Sequence, residues 1–263
     1  MKKTNAMADL KLKSVGQKIK VATIEQTMSG FQNYGVKTLL VVCLLVVSTL
    51  HVSAQKSAVL EAFSKNNIDP SILDPHSLKQ PEDFAYEMKQ TVIAAGKEKV
   101  TVATYDPSRP KEEQWTVVSV EGKSPSKSEI NSFRKNQNKS DDASKTDDAS
   151  YKIEKQTSDQ LVISYMVDPG TVSKEAAFLK DCRSYMTINL GTKKLEQVQA
   201  LNEKPVKIAI LKADKLDLIV KYAWNDQAKR YLTTTSTLGI QAKFLGQSAD
   251  IKTITEYSSY TKK

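Results

Sequence analysis

Apolar and polar positions change their rhythm several times along this chain. From Ser57 to Ser64, Val59, Leu60 and Phe63 recur at helical spacing, and Asp69-Pro70 and Asp74-Pro75 then break the run. This predicts a short helix followed by an irregular connection. From Phe84 the period falls to two: Phe84, Tyr86, Met88, Gln90 and Val92 share one face, and Val100, Val102 and Thr104 repeat the pattern beyond Gly96. A β-hairpin is the expected result. A proline-punctuated loop, Tyr105 to Pro110, leads to a strand over Trp115–Val120, a turn at Glu121-Gly122-Lys123, and a helix from about Ser126 to Asn138. Ser126 or Ser128 is placed to cap that helix, Glu129 lies in its first turn, and Ile130 and Phe133 are its apolar residues.

The stretch Ser140-Asp-Asp-Ala-Ser-Lys-Thr-Asp-Asp-Ala-Ser150 repeats Asp-Asp-Ala-Ser and holds no large apolar side chain, so residues 139–150 read as a mobile acidic linker. Strand patterns fill the remainder. Leu161, Ile163, Tyr165 and Val167 alternate with less apolar neighbours, as do Met186, Ile188 and Leu190, with Leu195 and Val198 on a return strand after Gly191-Thr192. Leu216, Leu218, Val220, Tyr222 and Trp224 give the clearest case, with Lys215, Asp217 and Lys221 between them. One face of this strand should be buried and the other wet. After Asn225-Asp226, segments Tyr231 to Leu238, Ile240 to Phe244 and Ile251 to Tyr257 read as a continuing meander. Parallel pairing would need helical crossovers that the pattern lacks, so the fold class is mainly β and antiparallel.

One segment stands apart. From Thr38 to Gln55 there is no charged residue, and Leu39 to Leu50 is the most apolar run in the chain, preceded by Lys37 and followed by Val52-Ser53-Ala54. About 12 strongly apolar residues are too few for the roughly 20 of a spanning helix but suit a signal peptide cleaved near Ala54. Retention as an N-terminal anchor is the other reading, and it would be the chain's one membrane contact. Met28 to Ala54 alone has ordinary signal length, so either the leader is long or translation starts at Met28. Residues 1–54 are thus expected to be extension and signal peptide, and residues 55–263 a single domain.

Composition sharpens this division. Seven of the 39 basic and two of the 30 acidic residues lie in the leader, leaving 32 and 28, a net charge of +4. With signs alternating along the chain, that is no nucleic-acid footprint. Beyond the leader one cysteine remains, Cys182, so no internal disulfide can form there. One histidine remains too, His76, and a lone His with a lone Cys cannot supply a zinc site. Asp141, Asp142, Asp147 and Asp148 lack the spacing and the Gly turn of a calcium loop. No catalytic constellation, metal site or cofactor motif is legible, and the chain is not expected to be an enzyme. Trp115, Tyr222 and Trp224 fall on strands, where they either pack in the core or stack on a ligand; in a half-open sheet the two roles overlap.

Tyr105-Asp-Pro-Ser-Arg-Pro110, then Gln114-Trp-Thr-Val-Val-Ser-Val-Glu-Gly-Lys-Ser-Pro125, then Ser128-Glu-Ile-Asn-Ser-Phe-Arg-Lys135, with the aromatic closing strand Ile254-Thr-Glu-Tyr-Ser-Ser-Tyr260, resemble uncharacterised exported bacterial proteins of the LolA-like superfamily of periplasmic lipoprotein carriers. The resemblance covers residues 84–260, with the acidic stretch as an insertion. It implies a strongly curved antiparallel half-barrel with one or more helices on its concave face, in a Gram-negative periplasm. It also implies a hydrophobic ligand, either a lipid or the acyl chain of a lipoprotein, or else a role in envelope interaction or regulation without a small-molecule ligand. On that reading the candidate ligand wall is Trp115, Ile130, Phe133, Leu218, Val220, Tyr222 and Trp224, with the Ser126–Asn138 helix as either a movable or a permanently docked plug.

Overall fold

The computed structural model describes residues 55–137, 144–174, 176–208, 211–244 and 247–263. The leader with its cleavage point, and Asp141 and Asp142, lie outside them. Residues 54–263 form one compact unit. Its frame is a single curved antiparallel sheet, open at both edges: β1 (Phe84–Ala94), β2 (Lys97–Tyr105), β3 (Trp115–Val120), β4 (Lys152–Gln156), β5 (Gln160–Met166), β6 (Cys182–Asn189), β7 (Lys194–Asn202), β8 (Val206–Ile208), β9 (Leu211–Asn225), β10 (Arg230–Phe244) and β11 (Gln247–Lys262). Their order is β3-β2-β1-β11-β10-β9-β7-β6-β5-β4, with β8 paired to β9 off this path. Among the described residues no helix is long and apolar enough to cross a membrane.

The alternation read along the strands is the alternation of the two faces. Leu216 is fully buried and Leu218, Val220, Tyr222 and Trp224 are half-buried, while Lys215 and Lys221 are exposed. Tyr86 and Met88 are buried on β1 and Glu87 and Lys89 exposed. Register shifts bend the strands at six places, among them Thr233/Thr235 and Gln241/Ala242 on β10. Such bulges curl a sheet without breaking it. At the second, the unmatched Asp214 lets Ala213 and Leu216, both fully buried, face the same side.

Helix α1 (residues 55–66) docks on the concave side through Val59, Ala62 and Phe63, joining Ile68, Ile72, Leu161, Ile163, Met186 and Ile188 in the main core. Leu60, expected on the same apolar face, is 39% exposed. The two Asp-Pro breaks become a pair of 3-10 turns, Pro70–Leu73 and Pro75–Leu78, capped by Asp69 accepting from Ser71 N and Asp74 accepting from His76 N. Proline suits the first helical position because its missing N–H would be unpaired there.

Three expectations are corrected. Tyr231–Leu238 and Ile240–Phe244 are one strand, β10, running through Gly239. An added Cβ at Gly239 would approach Asp217 O no closer than 3.8 Å, so the glycine marks no chain break. The acidic stretch is part of the fold from Ser144 onward. Thr146 bridges Val167, the Asp147 N–H bonds Met166 O at 2.9 Å, and the Asp147 side chain caps a 3-10 turn at Asp148–Ser150 that leads into the buried Tyr151. Aspartate is a turn-capping residue as much as a solvated one, and composition does not separate the two roles. Finally, helix α2 (Lys127–Gln137) covers the edge strand β3 and leaves the centre of the concave face to α1 and the 3-10 turns. Phe133 meets Trp115 edge-on at 5.4 Å, and Arg134 Nε donates to Trp115 O at 2.9 Å, occupying an open-edge carbonyl. Of the two possible caps the structure uses Ser126, whose N–H and hydroxyl both donate to Glu129, a capping box that holds the Glu129 carboxyl below its usual range.

A candidate binding chamber on the concave face

Between the sheet and the second 3-10 turn lies a chamber of about 350 Å³. Its floor comes from facing positions of neighbouring strands: Val198 of β7 lies opposite Val220 of β9, which lies opposite Ser236 of β10, while Tyr222 faces Thr233. Tyr165 and Ser184 extend the floor toward β5, and Tyr257 toward β11. Pro75, Leu78, Lys79 and Gln80 form the roof, and Ser144, Thr146, Ala176 and Leu179 close one side. The chamber is at the lower end of the range of small-molecule sites.

The roof is tied down. Arg230 of β10 donates to Lys79 O at 3.2 Å and pairs with Asp83 at 3.7 Å. The Tyr260 hydroxyl lies 2.8 Å from both Gln80 Oε1 and Thr233 O. Burial drives the hydroxyl pKa values of Tyr165 and Tyr260 well above the usual phenol range, so both stay neutral donors across physiological pH. Lys79 is the one charged side chain among the described lining residues.

On the far side of Pro75, Ser144 and Thr146 is a second hollow, of about 550 Å³, with a different character. Lys56, Asp74, His76, Lys145 and Asp148 line it with Leu60 and Leu73, and Lys56 Nζ pairs with Asp148 Oδ1 at 2.7 Å. His76 is exposed here. Among the described residues no group of three or more His, Cys, Asp or Glu side chains is placed to hold a metal.

The seven side chains named from the sequence fall into separate places. Val220 and Tyr222 line the chamber. Trp224 packs beside Tyr222 on the main core, its ring edge-on to Tyr231 at 5.1 Å and covered by Lys194 Nζ at 3.9 Å from the centroid. Leu218 belongs to a second cluster with Cys182, Ala200, Leu216 and Ile240. Trp115 and Phe133 belong to a third, with Tyr86, Tyr105, Tyr257 and Tyr260, and Ile130 is half-buried on α2. Alternation could have found Tyr165 and Tyr257, which lie in legible strands. Nothing in the sequence marked Leu78 and Gln80 as a roof, because an irregular segment carries no periodicity to say which way it faces.

No family model matches this chain, and no curated protein matches it. Solved structures similar to it include the following two. A DUF1329 family protein from Desulfovibrio piger is 11% identical, with a TM-score of 0.36, over 80% of this chain and 92% of that one. A LolA superfamily protein from Nitrosomonas europaea is 9% identical, with a TM-score of 0.32, over 73% of this chain and 92% of that one.

Proposed function

We propose that this chain is exported, loses residues 1–54 after Ala54, and works in the periplasm of a Gram-negative cell as a binder or carrier of a hydrophobic ligand, a lipid or the acyl chain of a lipoprotein. The observation that carries the reading is the chamber: walls of Leu78, Tyr165, Leu179, Val198, Val220 and Tyr222 around unfilled space, under a roof fixed to the sheet. Such a space, apolar with a few convergent polar groups, is what a hydrophobic guest requires. Neutral tyrosines and a single lysine do not make the cluster of perturbed ionisable groups expected of general acid and base chemistry. The largest exposed apolar side chains described, Leu60, Val118 and Ile153, are scattered over α1, β3 and β4, so no contiguous patch favours a pure interaction protein.

Native mass spectrometry of protein purified from its own periplasm tests this, together with N-terminal sequencing. The expected results are a start at Gln55 and a retained lipid-sized adduct that Val220→Trp abolishes while the protein stays folded. A processed protein that is free of adduct and binds no added lipid overturns the carrier reading.

A further inference from the structure

The concave face changes chemistry along one line. Val198, Val220, Ser236, Thr255, Gln90 and Thr101 lie directly opposite one another in successive pairings from β7 through β9, β10, β11 and β1 to β2. Toward β5 the same line continues through the buried Met186 and Ile163. It is therefore wholly apolar up to β9, and wholly hydroxyl or amide from β10 to β2. The change falls inside the chamber, whose floor holds Val220 and Ser236 side by side.

The polar half is unusual in what it does not do. The side chains of Ser236, Thr255, Gln90 and Thr101 make no hydrogen bond to another described residue, although Thr255 is only 6% exposed. Polar side chains turned to the inner face of a sheet weaken it unless something answers them, and valine or leucine would pack there at less cost. Water can answer them in the empty protein. A guest that displaces such water keeps its affinity only by reproducing the hydrogen bonds, which a bare hydrocarbon cannot do. The row carries no charge, and Lys79 is the one charged side chain among the described residues of the chamber lining. At the usual inter-strand spacing of about 4.8 Å, the three steps from β10 to β2 extend roughly 14 Å, a length that matches a head with several hydroxyls.

Resting on the ligand-binding reading, we infer that the guest is an amphiphile whose hydrocarbon part lies over β5–β9 and whose neutral, hydroxyl-bearing head lies along Ser236, Thr255, Gln90 and Thr101. Its chemical class is an acylated or alkylated sugar or polyol.

The test titrates the full processed chain with three probes: dodecyl maltoside below its micellar concentration, sodium dodecanoate, and the apolar dye N-phenyl-1-naphthylamine. It uses wild type, Thr255→Val, Gln90→Leu and the double variant, with circular dichroism to verify folding and Ser236→Ala in reserve should a variant fail to fold. The wild type is expected to bind the glycoside more tightly than dodecanoate. Each single variant should weaken glycoside binding about five-fold, the worth of one hydrogen bond, and leave the dye and dodecanoate within two-fold. Glycoside affinity at or below that of dodecanoate, or a loss shared equally by glycoside and dye, overturns the inference while dye binding still upholds the carrier reading. A wild type that binds none of the three overturns both.

Discussion

Replacing Phe63 by alanine should show how firmly α1 is held against the sheet. The helix spans 12 described residues, too short to persist in water without packing. Its ion pair, Lys56 with Asp148, is partly exposed and adds little. What holds it is Val59, Ala62 and Phe63, 0%, 8% and 1% exposed, set into the main core against Ile68, Ile72, Leu161 and Ile163. Truncating a fully buried Phe costs about 3–5 kcal/mol, a large fraction of the roughly 5–15 kcal/mol of a typical domain. Leu60→Ala, one residue outside the docked stripe, should cost under about 1 kcal/mol. Equilibrium unfolding in urea, followed in single-tryptophan variants, separates two ways of losing that energy. Trp224 reports on the core beneath α1, and Trp115 on the aromatic cluster at the other end of the sheet. If α1 unfolds with the domain, both midpoints drop together; if it detaches alone, the Trp224 transition moves first and the slope falls. A Phe63→Ala variant no less stable than Leu60→Ala, at either probe, would refute the docking argument.

Other expectations follow from burial and pairing. Leu216→Asp should unfold the domain, since that side chain is fully buried, whereas Lys221→Asp on the exposed face should leave the thermal midpoint within a few degrees. Helix α2 has no fully buried residue, so amides of residues 127–137 should exchange faster than those of β9, and Arg134→Ala should speed exchange further and promote association through the uncovered β3 edge, measured by light scattering. Equal protection of α2 and β9 would count against this. Burial, and then the nearby Asp181 and Glu203, push the Cys182 thiol up from about 9 to about 11. The folded chain keeps that proton where the unfolded chain releases it, so the contribution is full below about pH 9 and is lost as pH rises to about 11. Wild type should therefore lose stability more steeply than Cys182→Ala between those values.

The sequence by itself determined the antiparallel β class and the inward face of β1 and β9, because strand alternation is a local property: Tyr86, Met88, Leu216, Leu218, Val220 and Tyr222 each announce their side through their neighbours. It also determined helix α1 and the Asp-Pro breaks that end it, though Leu60, read on the apolar stripe, is exposed, and the two aspartate caps were read only as breaks. Tertiary structure decided everything that depends on which strand meets which. That β1 pairs with the C-terminal β11, and so sets Gln90 and Thr255 in line with Ser236 and Val220, follows from long-range register that no local period encodes. Strand β4, exposed at every position, had no apolar rhythm to reveal it and exists through its ladder to β5. Gly239 read as an interruption until its neighbours on both sides held it in the sheet. The candidate site divides in the same way. Val220 and Tyr222 were legible as inward residues, but the chamber above them depends on side chains from distant strands and on an irregular roof, and empty space between nonlocal segments leaves no mark in either one.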